Sequence, residues 1–275
     1  MTPEMGEFYR SGGIELARIC ASSDASFPPH THAEYVVSAN LSGCEDIYVD
    51  GKKLRATEGM VTIYNPEAVQ SSAFDSSGVD AEFISLYIES DELVGMGQAN
   101  GWLSHSTAPE LSQGAFTNPA LYQLILAAYQ AKRDNCEADF ETAMIEITAA
   151  LLTHRDHAID KPGRRELAPV IEYMRTQLCA PVTLDVLSAV GNVNKYHLIR
   201  SFKSLVGVTP ARYHMQLRLI EARSQLRRGV EVQDVAFELG FYDQSHFINA
   251  FRKVLGVSPL RFAKPQRLVR PGARE

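Results

Sequence analysis

"DQSHFINAFRKVLGVSPLRF" occupies residues 243–262, and "NKYHLIRSFKSLVGVTPARY" occupies residues 194–213, 49 positions earlier. At that fixed offset Asp185 pairs with Asp234, Val186 with Val235, Gly191 with Gly240, His197 with His246 and Phe202 with Phe251. The match continues with Lys203 and Arg252, Gly207 and Gly256, Val208 and Val257, Pro210 and Pro259. Each copy predicts a helix, a tight turn and a second helix. In the second copy Val235, Ala236 and Leu239 form an apolar stripe, and Gly240 supplies a turn residue for which positive φ carries no steric cost. Asp243 predicts an N-cap for a helix whose Phe247, Phe251 and Val254 recur at i, i+4 and i+7. Small Ala236 lets the two helices cross closely. A helical solenoid needs about three or more stacked repeats, and only two are present. The pattern is that of two helix-turn-helix units, whose second helix enters a DNA major groove.

Charge agrees with that reading. The whole chain carries a net −6, yet residues 160–275 hold 19 Lys+Arg against 10 Asp+Glu, and residues 1–159 hold 8 against 23. A basic module suited to a polyanion is thus joined to an acidic one that is not. No apolar run approaches the roughly 18 residues that span a bilayer, and "MTPEMGEFYR" lacks the features of a secretory signal. The four cysteines (Cys20, Cys44, Cys136, Cys179) form no CxxC pair. Free, buried thiols in a reducing cytoplasm are expected.

Residues 167–265 resemble the DNA-binding domain of the AraC/XylS family of transcription regulators, on the strength of "YHLIRSFKSLVGVTPARY" and "LGFYDQSHFINAFRKVLGVSPLRF". The resemblance implies a seven-helix domain whose halves are joined by one long helix. "PARYHMQLRLIEARSQLRRG" fits that helix, from Pro210 at a favoured first position to Gly229 just past the end. About 18 residues make a rod of roughly 27 Å, the scale on which two reading helices reach successive groove faces about 34 Å apart. By the family's pattern the groove-facing positions are Asn194, Lys195, Tyr196, Ile199, Arg200 and Lys203 in the first unit. In the second they are Gln244, Ser245, Ile248 and Asn249, with Arg252 and Lys253 nearer the backbone. Arg200 is the strongest base-reading candidate, because its planar fork matches guanine O6 and N7. Tyr196 suits a thymine methyl or a phosphate, and Lys195 and Lys203 suit the phosphate backbone. Two residues depart from the family's habit: Asn249 stands where arginine is common, and Leu187 where a small alanine, as at Ala236, is usual. His197 and His246, at equivalent positions, are expected to be hydrogen-bonded packing residues.

The acidic half predicts an α+β partner domain. Short strand-like runs recur from residue 14 to about 90: "IELARICA", "EYVVSANLSG", "DIYVDGKKL", "GMVTIYN" and "AEFISLYIE", punctuated by Gly, Asn, Asp and Pro, the signal of a small sandwich or barrel. Two helical patterns follow, with Leu121, Ile125 and Ala128 on one face of 118–133 and Phe140, Met144, Ile147 and Leu151 on one face of 138–154. They are expected to pack on the strands or to form a dimer seam. The segment "FPPHTHAEYVVSANLSGCEDIYVDGKKLRATEGMVTIYNPEAVQ" is similar to the cupin-like effector domain of the same family. That similarity implies a β-barrel with an internal pocket for a small effector, and His30, His32, Tyr35, Tyr48, Tyr64 and Trp102 are its candidate groups. The expected domains are therefore 1–157 for effector binding and dimerisation, a linker at 158–166 within "RDHAIDKPGRRE", and 167–275 for DNA binding, with helix-turn-helix units at 184–205 and 232–255.

A metal-dependent enzyme is the alternative. His30 and His32 have the spacing that lets alternate strand residues face one interior. The places of the further carboxylate and histidine ligands are held by Val36, Val37 and Gln70, and Glu34 is too close to His32. Two ligands remain where three or four are needed, so neither metal, cofactor nor catalysis is expected. A barrel that only dimerises is a further alternative. The leading expectation is a cytoplasmic, homodimeric transcription regulator that senses a small molecule and binds promoter DNA, with RNA polymerase as a further partner.

Overall fold

A computed structural model of the chain describes residues 4–49, 51–74, 79–153, 164–255 and 257–263. The chain divides into two compact units, Met1–Arg164 together with Lys203–Gly207, and Arg165–Phe202 together with Val208–Glu275. The first opens with strands β1 (Glu4–Ser11), β2 (Ile14–Ala21), β3 (Ser26–His30), β4 (Tyr35–Ser42) and β5 (Cys44–Val49). Strands β6 (Lys52–Thr57), β7 (Val61–Tyr64), β8 (Gln70–Phe74) and β9 (Ala81–Ile88) follow. Helix α1 (Ser90–Ala99), strand β10 (Gly114–Phe116) and helices α2 (Pro119–Arg133) and α3 (Glu137–Thr153) complete the unit. One antiparallel sheet has the order β1-β2-β9-β4-β7-β10 and a second has β3-β8-β5-β6.

Strand β4, "YVVSANLS", shows how the layers arise. Tyr35, Val37 and Ala39 join one core with Leu121, Ile125 and Ala128 of α2 and Phe140, Met144 and Ile147 of α3. The alternate residue Val36 packs instead with Ile47, Val49 and Tyr64 on the opposite face. The larger sheet is therefore buried on both faces, between helices and the smaller sheet, and its central strand reads as a nearly continuous apolar run. The expected sandwich or cupin-like barrel is present as two facing sheets, and among the described residues no hydrogen-bonded ladder closes them into one. Strand β1 lies before the predicted β region and is held by pairing with β2, across a bulge. Helix α1 is an addition to the two helices expected. Its Gly95 and Gly97 weaken helical propensity, but Leu93, Val94 and Gly97 are buried and hold it in place. Helix α2 starts as read, with Asn118 Oδ1 accepting from the Leu121 N–H at 3.1 Å and Pro119 in the first turn. The cysteines are free, but they are not buried: Cys20 and Cys179 are exposed, Cys44 and Cys136 partly so.

The second unit is all helical: α4 (Arg164–Thr176), α5 (Leu184–Gly191), α6 (Lys195–Leu205), α7 (Pro210–Arg227), α8 (Val232–Glu238), α9 (Gln244–Leu255) and α10 (Pro259–Ala263). Helix α4 begins inside the segment read as a linker, whose residues 158–163 lie outside the described residues. The 18-residue α7 is the central member, with Tyr213, His214, Leu217, Arg218, Leu219 and Ala222 all buried, on several sides of the helix. The repeat at the proline is a repeated cap. Thr209 Oγ1 accepts from the Arg212 N–H ahead of Pro210, and Ser258 Oγ accepts from the Arg261 N–H ahead of Pro259. Among the described residues no helix is long and apolar enough to cross a membrane.

Candidate nucleic-acid interface and ligand cavity

Helices α6 and α9 present matching surfaces. Phe202 and Leu198 of α6, and Phe247 and Phe251 of α9, are fully buried. Opposite them Tyr196, Ile199, Arg200 and Lys203 fall at i, i+3, i+4 and i+7, and Ser245, Ile248, Asn249 and Arg252 repeat that spacing on α9. The two isoleucines are partly covered and the other six residues of these stripes are exposed, Tyr196 at 75%. Lys195, Gln244 and Lys253 are exposed as well, and Lys195 Nζ lies 2.5 Å from Asp185 Oδ1. Asn194 does a local job: its Oδ1 accepts the His197 N–H at 2.8 Å and caps α6. Asp243 does the same for α9 through the His246 N–H at 2.6 Å. The equivalent histidines are exposed rather than packed inside, so what they share is this backbone bond. The His197 ring lies 3.3 Å from Ser201 Oγ, and the His246 ring packs edge-on against Phe241. Sequence reading passed over Phe237 and Tyr242, which flank the second turn at 86% and 92% exposure. Phe237 lies off the buried Val232, Val235 and Ala236 face of α8, and that was the available signal.

The two turns are built differently. Gly240 has φ +66°, as its sequence position predicts, but the left-handed residue of the first turn is Asn192 (φ +49°), one place after Gly191. A single side chain of α7 ties the second turn to the segment between α4 and α5. Arg218 donates from Nε to the Leu178 carbonyl at 2.6 Å, from Nη2 to that of Ala180 at 2.9 Å and from Nη1 to that of Gly240 at 3.3 Å. One turn earlier on α7, His214 Nε2 lies 2.9 Å from the Gln177 carbonyl. Burial lowers the His214 pKa, opposed by the bond to the Gln177 carbonyl.

In the first unit a cavity of about 70 Å³ lies between the two sheets, lined among others by His30, His32, Ser38, Glu45, Tyr64 and Gln70. Its polar groups come from strand positions that alternate with the helix-facing core: Ser38 between Val37 and Ala39, Ser85 between Ile84 and Leu86. Of the six residues predicted to line a pocket, His30, His32 and Tyr64 do so. Tyr35 points to the other face, where its hydroxyl donates to the Pro109 carbonyl at 2.5 Å. Tyr48 and Trp102 are exposed, at 47% and 37%. Glu45 and Ser72 escaped sequence reading, because the register that turns them inward depends on the β5–β8 pairing, and Gln70 was read only as standing in the place of a metal-ligating histidine. Among the described residues no three His, Cys, Asp or Glu side chains gather to hold a metal ion.

Burial raises the Glu45 pKa, opposed by a hydrogen bond from Ser72. A carboxyl group whose folded pKa exceeds its unfolded one gives a stability that is greatest below the unfolded value and falls as pH rises towards the folded value. Its titratable neighbours in the cavity are His30, His32, Tyr64 and Tyr87. Glu45→Gln is therefore expected to raise the melting temperature at pH 7.5 and to leave it nearly unchanged at pH 4, as calorimetry across that range would register. A lower melting temperature for the variant at pH 7.5 would contradict this assignment.

Residues 12–147 match the AraC-like ligand binding domain family, and residues 187–265 match a helix-turn-helix domain family. The chain is 27% identical over 224 residues to the uncharacterized HTH-type transcriptional regulator YbfI of Bacillus subtilis (strain 168), a match covering 78% of this chain and 79% of that protein. It is 34% identical over 77 residues to the HTH-type transcriptional regulator GbdR of Pseudomonas aeruginosa, spanning 28% of this chain and 21% of GbdR. Among solved structures it is similar to ToxT of Vibrio cholerae O395, with a TM-score of 0.57 at 11% identity over 92% of this chain and 98% of that one. Unsaturated fatty acid-bound ToxT from V. cholerae strain SCE256 superimposes with a TM-score of 0.55 at 11% identity, over 93% of this chain and 96% of that one. At that identity the likeness is one of fold. With an AraC-type ligand-binding domain followed by a helix-turn-helix domain, the chain belongs to the AraC family of transcription regulators.

Proposed function

We propose that this regulator acts in the cytoplasm as a homodimer without catalytic activity, and that a small effector in the cavity between its two sheets sets its affinity for promoter DNA. The observation that carries the reading is the cavity itself. Polar side chains are turned into the interior of an otherwise apolar domain, an arrangement that costs stability unless something meets them. A purely dimerising domain has no use for it. The unsaturated fatty acid bound to ToxT supports a ligand-responsive role for this fold. The effector acts by linkage: it binds one conformational state of the regulator more tightly than another and shifts the population competent for DNA. RNA polymerase is the proposed partner at the promoter.

In this reading the exposed stripes of α6 and α9 enter successive major-groove faces. Arg200 reads guanine, Asn249 adenine, and Lys195, Lys203, Arg252 and Lys253 hold phosphates. Footprinting of the full chain on genomic fragments, with and without a metabolite extract, tests the proposal. A bounded footprint whose occupancy responds to the extract is expected; a footprint insensitive to every fraction would remove the effector. On the recovered site Arg200→Ala is expected to cost about 1–3 kcal/mol and Asn249→Ala less. Gel-shift titrations giving the opposite order would refute that assignment of roles.

A further inference from the structure

The polar lining of the cavity is chemically one-sided. It consists of hydroxyls, two imidazoles, one carboxamide and one carboxylate, with no lysine or arginine among the described residues. Ser38 and Ser85 bond to each other, their oxygens 2.7 Å apart. Gln70 is only 7% exposed, and its Nε2 lies 3.4 Å from His30 Nε2. Its Oε1 has no hydrogen-bond partner among the described residues. Glu45 is enclosed to the same degree, at 8% exposure, and an ionised carboxylate accepts hydrogen bonds without donating any. Two buried acceptors, one of them able to carry a negative charge, thus face a space bordered by the rings of Phe27, Tyr64, Phe83 and Tyr87.

We infer that the cavity, granted its role as the effector site, takes a small organic cation: a protonated amine whose N–H groups bond to the Glu45 carboxylate and to Gln70 Oε1. An anion finds no opposite charge in this lining and meets Glu45. A neutral polyol satisfies Gln70 but leaves an ionised Glu45 uncompensated. A cation supplies the donor that Gln70 Oε1 lacks, adds to the one Ser72 gives Glu45 and offsets the buried charge, and the aromatic faces around it are attractive to positive charge. Size sharpens the class. At about 10–15 Å³ of such cavity space per water, a volume of about 70 Å³ has room for a few waters, which suits a head group of a few heavy atoms.

Three probes of nearly equal size separate the possibilities: ethanolamine, ethylene glycol and glycolate, with oleate as the long-chain acid. Each is titrated into the full chain at pH 7.5 and constant ionic strength, by calorimetry and thermal shift. Ethanolamine is expected to raise the melting temperature saturably and to bind at least tenfold more tightly than ethylene glycol, with no response to glycolate or oleate. Glu45→Gln and Gln70→Leu are each expected to weaken ethanolamine at least tenfold. Unliganded Glu45→Gln should at the same time melt above the parent, a gain that a misfolded variant would not show. Failure of ethanolamine to bind, equal binding of glycolate or oleate, or unaltered binding by Glu45→Gln overturns the proposal. Gel shifts on the footprinted fragment keep the two readings apart. Ethanolamine binding that leaves DNA affinity unchanged retains the amine site and removes the effector role. Glycolate or oleate changing DNA affinity retains the effector role and removes the amine site.

Discussion

Gly240→Ala is expected to abolish DNA binding by disrupting the second helix-turn-helix unit. A Cβ on Gly240 would stand 2.0 Å from the Cys179 carbonyl oxygen and 2.9 Å from its carbon, with φ at +66°. Both neighbours are backbone, so no side-chain rotation relieves the clash; residues 177–180 or the turn must move. Moving either breaks the bonds that Arg218 makes to Leu178, Ala180 and Gly240. Left-handed strain in a non-glycine residue costs about 1–3 kcal/mol by itself, and with the lost packing the total is on the order of 4 kcal/mol or more, a large share of a typical domain's stability. Gly229 is the control. It also has positive φ, +84°, but nothing lies within 4 Å of its added Cβ, so Gly229→Ala carries only the backbone strain. Urea denaturation of both variants measures the contrast, and comparable small losses would mean that the 177–180 segment does not press on the turn.

Arg218→Met is expected to be the second most damaging change, at about 3–5 kcal/mol, because it leaves three carbonyls without their charged donor. Methionine keeps much of the aliphatic volume, so the loss reports hydrogen bonding rather than a cavity. Arg218→Lys should recover part of it, since an ammonium reaches fewer carbonyls at once than a planar fork. Calorimetry reads the result as a lowered transition of the helical unit. A variant within about 1 kcal/mol of the parent would show that Arg218 is not the tie described.

Much of the helical unit was legible because its information is local. Asp243 as an N-cap, Gly240 at positive φ and the Phe247–Phe251 stripe are each decided within a few residues. The turn of the first unit was less so, since the left-handed residue is Asn192 while the repeat aligns Gly191. Arg218 was invisible for a different reason: an arginine inside a helical pattern looks like a solvated charge, and only tertiary structure brings Leu178, Ala180 and Gly240 to it. In the sandwich, β2 was read to its ends while β1, β3, β8 and β10 were not, and those are short strands or strands without a β-branched run. The cavity suffered most. Aromatic residues such as Tyr35, Tyr48 and Trp102 attract notice, but a period of two assigns the interior, and one step along β4 exchanges Tyr35 for Val36.

The unlike stripes of α6 and α9 also give direction. One carries Tyr196, Arg200 and Lys203, the other Ser245, Asn249 and Arg252, so on the proposed assignment of both stripes to DNA the duplex under one chain has distinguishable ends. Two identical heads would leave upstream and downstream indistinguishable; on that same proposal each copy in the dimer carries its own polarity along the duplex, and the arrangement of the two half-sites would dictate which flanking gene the regulator faces.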